Sequence, residues 1–322
     1  MLRGLATLAL TGLFSAQAFS AQEGLLDLAP DAANGKVRIH FDSLPAEFLY
    51  VVALQSGAGS NDLSFDRGQL DRTRWVRFER YGNRVLLLEP NVAFRAESGN
   101  PAERRSVEDA FAQSVLAGFE IENPAEPVVT IDLAPLLLSD MPRLAGRMAA
   151  LGQGQYNIDP ERSAIDFGQI RNFPKNALLP ALITFSGSEP GSFVKDVTPT
   201  PDSITLTLSH QFIKLPAGDY EPRVFHPRSG YFALHIRDYA APLEQPIDRR
   251  WIYRHRLEPG QTLRYYVDNG TPEPVRSALL EGASWWSEAF EAAGFANGFT
   301  VEVLPENADP LDIRYNTIQW VH

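Results

Sequence analysis

Short apolar runs that alternate at period two, separated by glycine, asparagine and proline, fill residues 36–256 and leave few folds open. Such alternation puts one row of side chains on each face of a strand, so the chain is expected to build antiparallel sheets. Val37, Ile39 and Phe41 alternate with Lys36, Arg38 and His40. Residues 47–54 (EFLYVVAL) form a more fully buried run, and 55–61 (QSGAGSN) turn after it. Trp75, Phe78 and Tyr81 mark the next strand, which Gly82 and Asn83 turn into 84–88 (RVLLL). Further strands are expected at 128–133, 181–185, 204–208, 231–236 and 250–256, with Pro199, Pro201, Pro216, Pro222 and Pro227 in the loops. One helix is expected at 101–116. Its Val107, Phe111, Val115 and Leu116 share a face, and Glu103 lies in the first turn, where the helix dipole favours it.

The pattern changes near residue 259. Residues 263–267 (LRYYV) alternate as a strand, and Asp268, Asn269 and Gly270 turn. Thr271 is the expected N-cap, with Pro272 at the first helical position and Glu273 beside it. Val275, Leu279, Gly282, Trp286, Phe290 and Ala293 follow at intervals of 4, 3, 4, 4 and 3, one continuous helical face that places Trp286 in the core. Gly294 ends the helix as a left-handed cap, and strands follow at 299–304 and 311–318. A strand, a long helix and a strand imply a parallel pair. The expected fold class is therefore α+β. A β-rich antiparallel N-terminal region (22–258, in one lobe or two) precedes a strand–helix–strand–strand α/β unit (259–322).

Charge and composition narrow the function classes. A net charge of −11 argues against nucleic acid as a partner, because binding phosphates needs a basic face. Arg3, the apolar run 5–14 and Ala16-Gln17-Ala18 have the layout of a secretory signal peptide, 1–18 or 1–21. That run is too short for a membrane helix of about 20 residues, and no later run approaches that length. The protein is thus expected to be secreted or periplasmic, with no membrane span after cleavage. It has no cysteine, which removes disulfides, thiol nucleophiles and cysteine-type zinc sites.

No residue is nominated as catalytic, cofactor-binding or metal-binding. A zincin needs two histidines four apart on one helix, with glutamate after the first. None of His40, His210, His226, His235, His255 and His322 is followed by glutamate, and no two are four apart. His226, His235 and His255 could converge in a sheet, but structural or solvent-facing roles suit them better. Gly57, Ala58, Gly59 and Ser60 read as a turn, since the nucleophile elbow G-x-S-x-G is absent. No spacing singles out a carboxylate pair among 40 acidic residues. The arginine-aromatic stretch 248–256 (DRRWIYRHR) reads as a strand whose arginines pair with carboxylates.

Residues 265–276 (YYVDNGTPEPVR), 285–295 (WWSEAFEAAGF) and 309–316 (DPLDIRYN) resemble the opening of a metzincin catalytic domain. More narrowly, the chain resembles a bacterial family of large secreted zinc-dependent metalloproteases whose catalytic domain follows a β-rich N-terminal domain of unknown function. Residues 70–95, 162–164 (RSA), 173–176 (FPKN) and 227–232 (PRSGYF) resemble that N-terminal domain. The resemblance implies hydrolysis of protein or peptide substrates by zinc held in H-E-x-x-H-x-x-G-x-x-H. That pattern is absent from the sequence, and in the family it lies beyond the point matching His322. The chain is therefore expected to be the N-terminal portion of such an enzyme and inactive alone. It would bind no zinc itself, and its partner would be the rest of the catalytic domain. The alternative reading is a non-catalytic secreted binding module.

Overall fold

The computed structural model describes residues 24–216, 218 and 220–321. The segment read as a signal peptide lies outside them. Among the described residues no helix is long and apolar enough to cross a membrane.

The period-two runs fold as the alternation requires. Strands β1 (Asp27–Asp31), β2 (Lys36–Phe41) and β8 (Val129–Asp132) form an antiparallel sheet in the order β1-β2-β8. Its inner row is Val37, Ile39 and Phe41 from β2, with Ile131 from β8. A nine-stranded antiparallel sheet holds the rest of the core. Its main path runs β10 (Ala164–Ile165), β12 (Asn176–Ser188), β13 (Ser203–Ile213), β3 (Ala46–Leu54), β4 (Arg74–Tyr81), β5 (Arg84–Glu89) and β7 (Ser114–Glu120). Strands β9 (Gln155–Ile158) and β11 (Arg171–Asn172) also pair with β12. The two sheets face each other across aromatic rings: Phe41 lies 5.0 Å from Phe78, which lies 5.5 Å from Phe212.

A third sheet, β15-β14-β6, joins β6 (Phe94–Arg95), β14 (Ala233–Asp238) and β15 (Asp248–Ile252). A fourth, β17-β16-β18, is all parallel and contains β16 (Leu263–Val267), β17 (Phe299–Val303) and β18 (Asn316–Ile318). The chain between Ile252 and Leu263 carries no regular element.

Several local expectations are corrected. Helix α1 (Pro101–Ala110), capped by the Asn100 side chain on the Ala102 N–H, stops six residues short of the expected end. Val115 and Leu116 belong instead to β7, which completes the hydrogen bonding of β5. Two short helices went unpredicted, α2 (Ala134–Leu137) and α3 (Leu144–Ala150); they bury Leu136, Leu137, Leu144 and Met148 in the main core. A further short helix, α4 (Ser192–Val197), buries Val194. Strand β15 ends at Ile252 rather than at residue 256.

The helix expected at 272–293 is two: α5 (Val275–Ser284) and α6 (Trp286–Ala292), divided at Trp285. Neither buries a single residue, and Trp286, expected in the core, is 61% exposed. Thr271 is no cap; its buried hydroxyl has no hydrogen-bond partner among the described residues. The Glu273 carboxylate serves the first turn instead, accepting from the N–H and hydroxyl of Ser277. Those hydrogen bonds, and then Arg276, hold Glu273 below the usual carboxylate range. Gly294 does close α6, at φ +90°, with the Phe295 N–H on the Phe290 carbonyl. The strand expected at 311–318 is only β18, because 311–315 form a turn pinned from elsewhere in the chain.

Candidate functional site

The most constrained polar contacts lie where the parallel sheet meets the large antiparallel one. Asn176, at the start of β12, is fully buried. Its amide nitrogen donates to the Leu311 carbonyl at 2.9 Å, and its amide oxygen accepts from the Ile313 N–H at 3.2 Å. One side chain thus satisfies two backbone groups 135 and 137 residues away, which is why 311–315 turns instead of extending. Asp312, 2% exposed, is held by the guanidinium of Arg314, which also stacks on Phe173 at 5.7 Å.

A second tie crosses the same junction. Asp268 directly follows β16, and its side chain is only 7% exposed. Arg67, from the loop after β3, donates to it at 2.6 Å and to the Trp320 carbonyl at 3.1 Å. Gly68 beside it, at φ +82°, lies against the Gln319 side chain, where any Cβ would collide. Arg67 and Asp268 are 201 residues apart, so this charge pair links the two parts of the chain. An open cleft of about 460 Å³ runs beside it. Gln55, Arg67 and Arg171 line the β-rich side, and Glu306, Asp309 and Gln319 the other. Arg171 is turned onto the Gly168 and Ile170 carbonyls, so the cleft offers no convergent charged set for one ligand.

The histidines are dispersed. His40 on β2 hydrogen-bonds Thr130. His226 sits in a turn and accepts from the Arg228 N–H. His235 is on β14, and His255 packs edge-on to Tyr265 in the segment before β16. His226, His235 and His255 are not brought together, and among the described residues no group of three or more His, Asp and Glu could hold a metal. His322 lies outside the described residues.

His210 is the exception to exposure. It lies fully buried on β13, with Nδ1 2.6 Å from the Tyr50 hydroxyl, and its Nε2 has no hydrogen-bond partner among the described residues. Burial pushes His210 down to about 4, offset in part by the Leu137 backbone, and pushes the Tyr50 phenol up. The ring is therefore neutral at pH 7. Buried within the sheet core and away from any cleft, the pair can tune stability but has no route to a substrate. Spacing could not have found it: β3 and β13 register Tyr50 against Phe212 and Val52 against His210, so the contact is diagonal.

The fold class these observations define is β-rich: antiparallel sheets, few helices, and a small parallel sheet tied to them by buried polar contacts. The chain belongs to the family described as a domain of unknown function (DUF5117), whose model matches residues 68–260. The match ends in the irregular segment before β16. No curated protein and no solved structure matches the chain.

Proposed function

We propose that this protein is the N-terminal portion of a secreted zinc-dependent metalloendopeptidase. In this reading the DUF5117 body is its accessory region, and 263–318 opens the catalytic domain. The observation that carries the reading is the unfinished state of the parallel sheet. All-parallel sheets are ordinarily covered on both faces and extended by further strands. Here three parallel strands meet two helices that cover Phe299 through Phe290 but hold no buried residue of their own, with Trp285 66% and Trp286 61% exposed. A zinc-bearing continuation of the α/β fold would cover that surface and supply the metal ligands, and the described residues would serve as scaffold. The motifs in 265–276, 285–295 and 309–316 support the same reading.

One observation favours a second reading, a non-catalytic binding module: Phe232 and Val224 stand 87% and 74% exposed beside the β14–β15 pair. Limited proteolysis of the folded 322-residue chain separates the two. On the protease reading, 275–292 is cut first, at the break by Trp285, while 27–213 persists. Survival of 259–321 as a resistant piece equal to the β-rich body would overturn the protease reading.

A further inference from the structure

The chain is acidic, yet one lobe is not. Residues 220–256 hold seven arginines against four acidic residues, a net +3 in a chain of net −11, which leaves −14 on the rest. The lobe's own acids are partly spent: Asp248 lies 3.5 Å from Arg237, and Asp238 lies 3.8 Å from Arg249. Other arginines face rings rather than carboxylates. Arg250 stacks on Phe225 at 4.9 Å and Arg254 on Tyr220 at 4.7 Å. Arg223 and Arg228 are exposed and form no ion pair among the described residues. A ring holds a guanidinium without cancelling its charge, so the lobe keeps a positive field.

The same lobe presents the chain's odd apolar side chains. Val224 bridges to Trp251, and Trp251 pairs with Leu234, so the three form one row across adjacent strands. Val224 is 74% exposed and Leu234 40%. At the end of the row Phe232, 87% exposed, accepts from the Tyr253 N–H through its carbonyl. Tyr220, Tyr231 and Tyr253 of the same lobe are each more than a third exposed. Phe232 and Val224 each expose most of their surface, as protruding rather than recessed side chains do. Protruding apolar tips with tyrosine, tryptophan and arginine in the same lobe suit the boundary between lipid headgroups and acyl chains.

We propose that the strip formed by residues 223–225, β15 and β14 docks the protein on an anionic lipid surface, with Phe232 and Val224 entering the interface and Arg223, Arg228 and Arg254 meeting lipid phosphates, while Arg250, on the opposite face of β15 from Trp251, adds only to the positive field. The proposal is independent of any protease role. The test is co-sedimentation of the purified full chain with vesicles of equal parts phosphatidylglycerol and phosphatidylcholine, and with phosphatidylcholine alone. The expected result is binding to the anionic vesicles only, weakened by salt. Phe232→Ser with Val224→Ser lowers partitioning on the order of tenfold. Arg228→Gln lowers it roughly fivefold. Trp285→Ala, on the open helical face, leaves it unchanged, and all variants keep the thermal unfolding of the parent. Failure to bind anionic vesicles, binding that survives the double variant, or binding lost only with Trp285→Ala would overturn the proposal. So would a dimer of the parent chain that Phe232→Ser dissociates, since that assigns the strip to a second copy.

Discussion

Lowering the pH from 7 to 4 is expected to remove about 3 kcal/mol of stability from the β-rich body through His210 alone. The ring is fully buried, and its pKa falls from 6.5 to about 4 in the folded protein, with burial the main cause. The unfolded chain therefore takes up a proton below about 6.5 that the folded chain refuses until about 4. Stability from this source is complete above 6.5 and is lost progressively as the pH falls between the two values. Tyr50 cannot relieve the charge at a distance, because its hydroxyl already faces Nδ1 at 2.6 Å. The charges that act on Tyr50, Arg74 and Asp71, pair with each other at 2.9 Å. Carboxylates held low by ion pairs, such as Glu122 beside Lys36 and Arg38, act in a more acid window below their ordinary 4.5. Denaturant titrations at pH 7 and pH 5 separate the two. His210→Asn, which keeps a polar atom near the Nδ1 position, is expected to flatten the dependence between pH 7 and 5. An unchanged slope in that variant would assign the dependence elsewhere.

Phe78→Ala is expected to cost about 4 kcal/mol. Phe78 is fully buried, and its ring lies 5.0 Å from Phe41, 5.5 Å from Phe212, 6.1 Å from Phe119 and 6.2 Å from Phe48. Those partners sit on four other strands, so the cavity cannot close by moving one of them. A lower denaturant midpoint at unchanged slope is the expected readout. A loss below about 1 kcal/mol would mean that the two sheets collapse onto the space.

The strands were legible where one face is buried and the other wet. In β2 every second residue is buried, as the alternation requires, and β3 ends in five buried residues that match its apolar run. Periodicity misled where long-range pairing decided the outcome. Phe111 and Val115 are spaced for a helix, yet β5 needed a partner and took 114–120. Leu311 and Ile313 alternate as a strand, yet Asn176 captures their backbone from 135 residues away. Trp286 lies on an apolar stripe, but among the described residues nothing covers it. The junction depends on single residues, Arg67 and Asn176, whose partners no local pattern announces. The diagonal Tyr50–His210 contact depends on strand register, which the sequence does not mark. The stretch DRRWIYRHR read as a strand whose arginines pair with carboxylates; Arg249 does so with Asp238, but Arg250 and Arg254 stack on Phe225 and Tyr220 instead.

The proposed metalloendopeptidase reading rests on the exposed helices and the open parallel sheet. The most direct measurement is the reading frame of the source gene past codon 322. The account predicts an in-frame H-E-x-x-H-x-x-G-x-x-H within a few hundred codons, on further strands and helices that complete the sheet. A frame that closes without that pattern would contradict it and leave the binding module as the surviving reading.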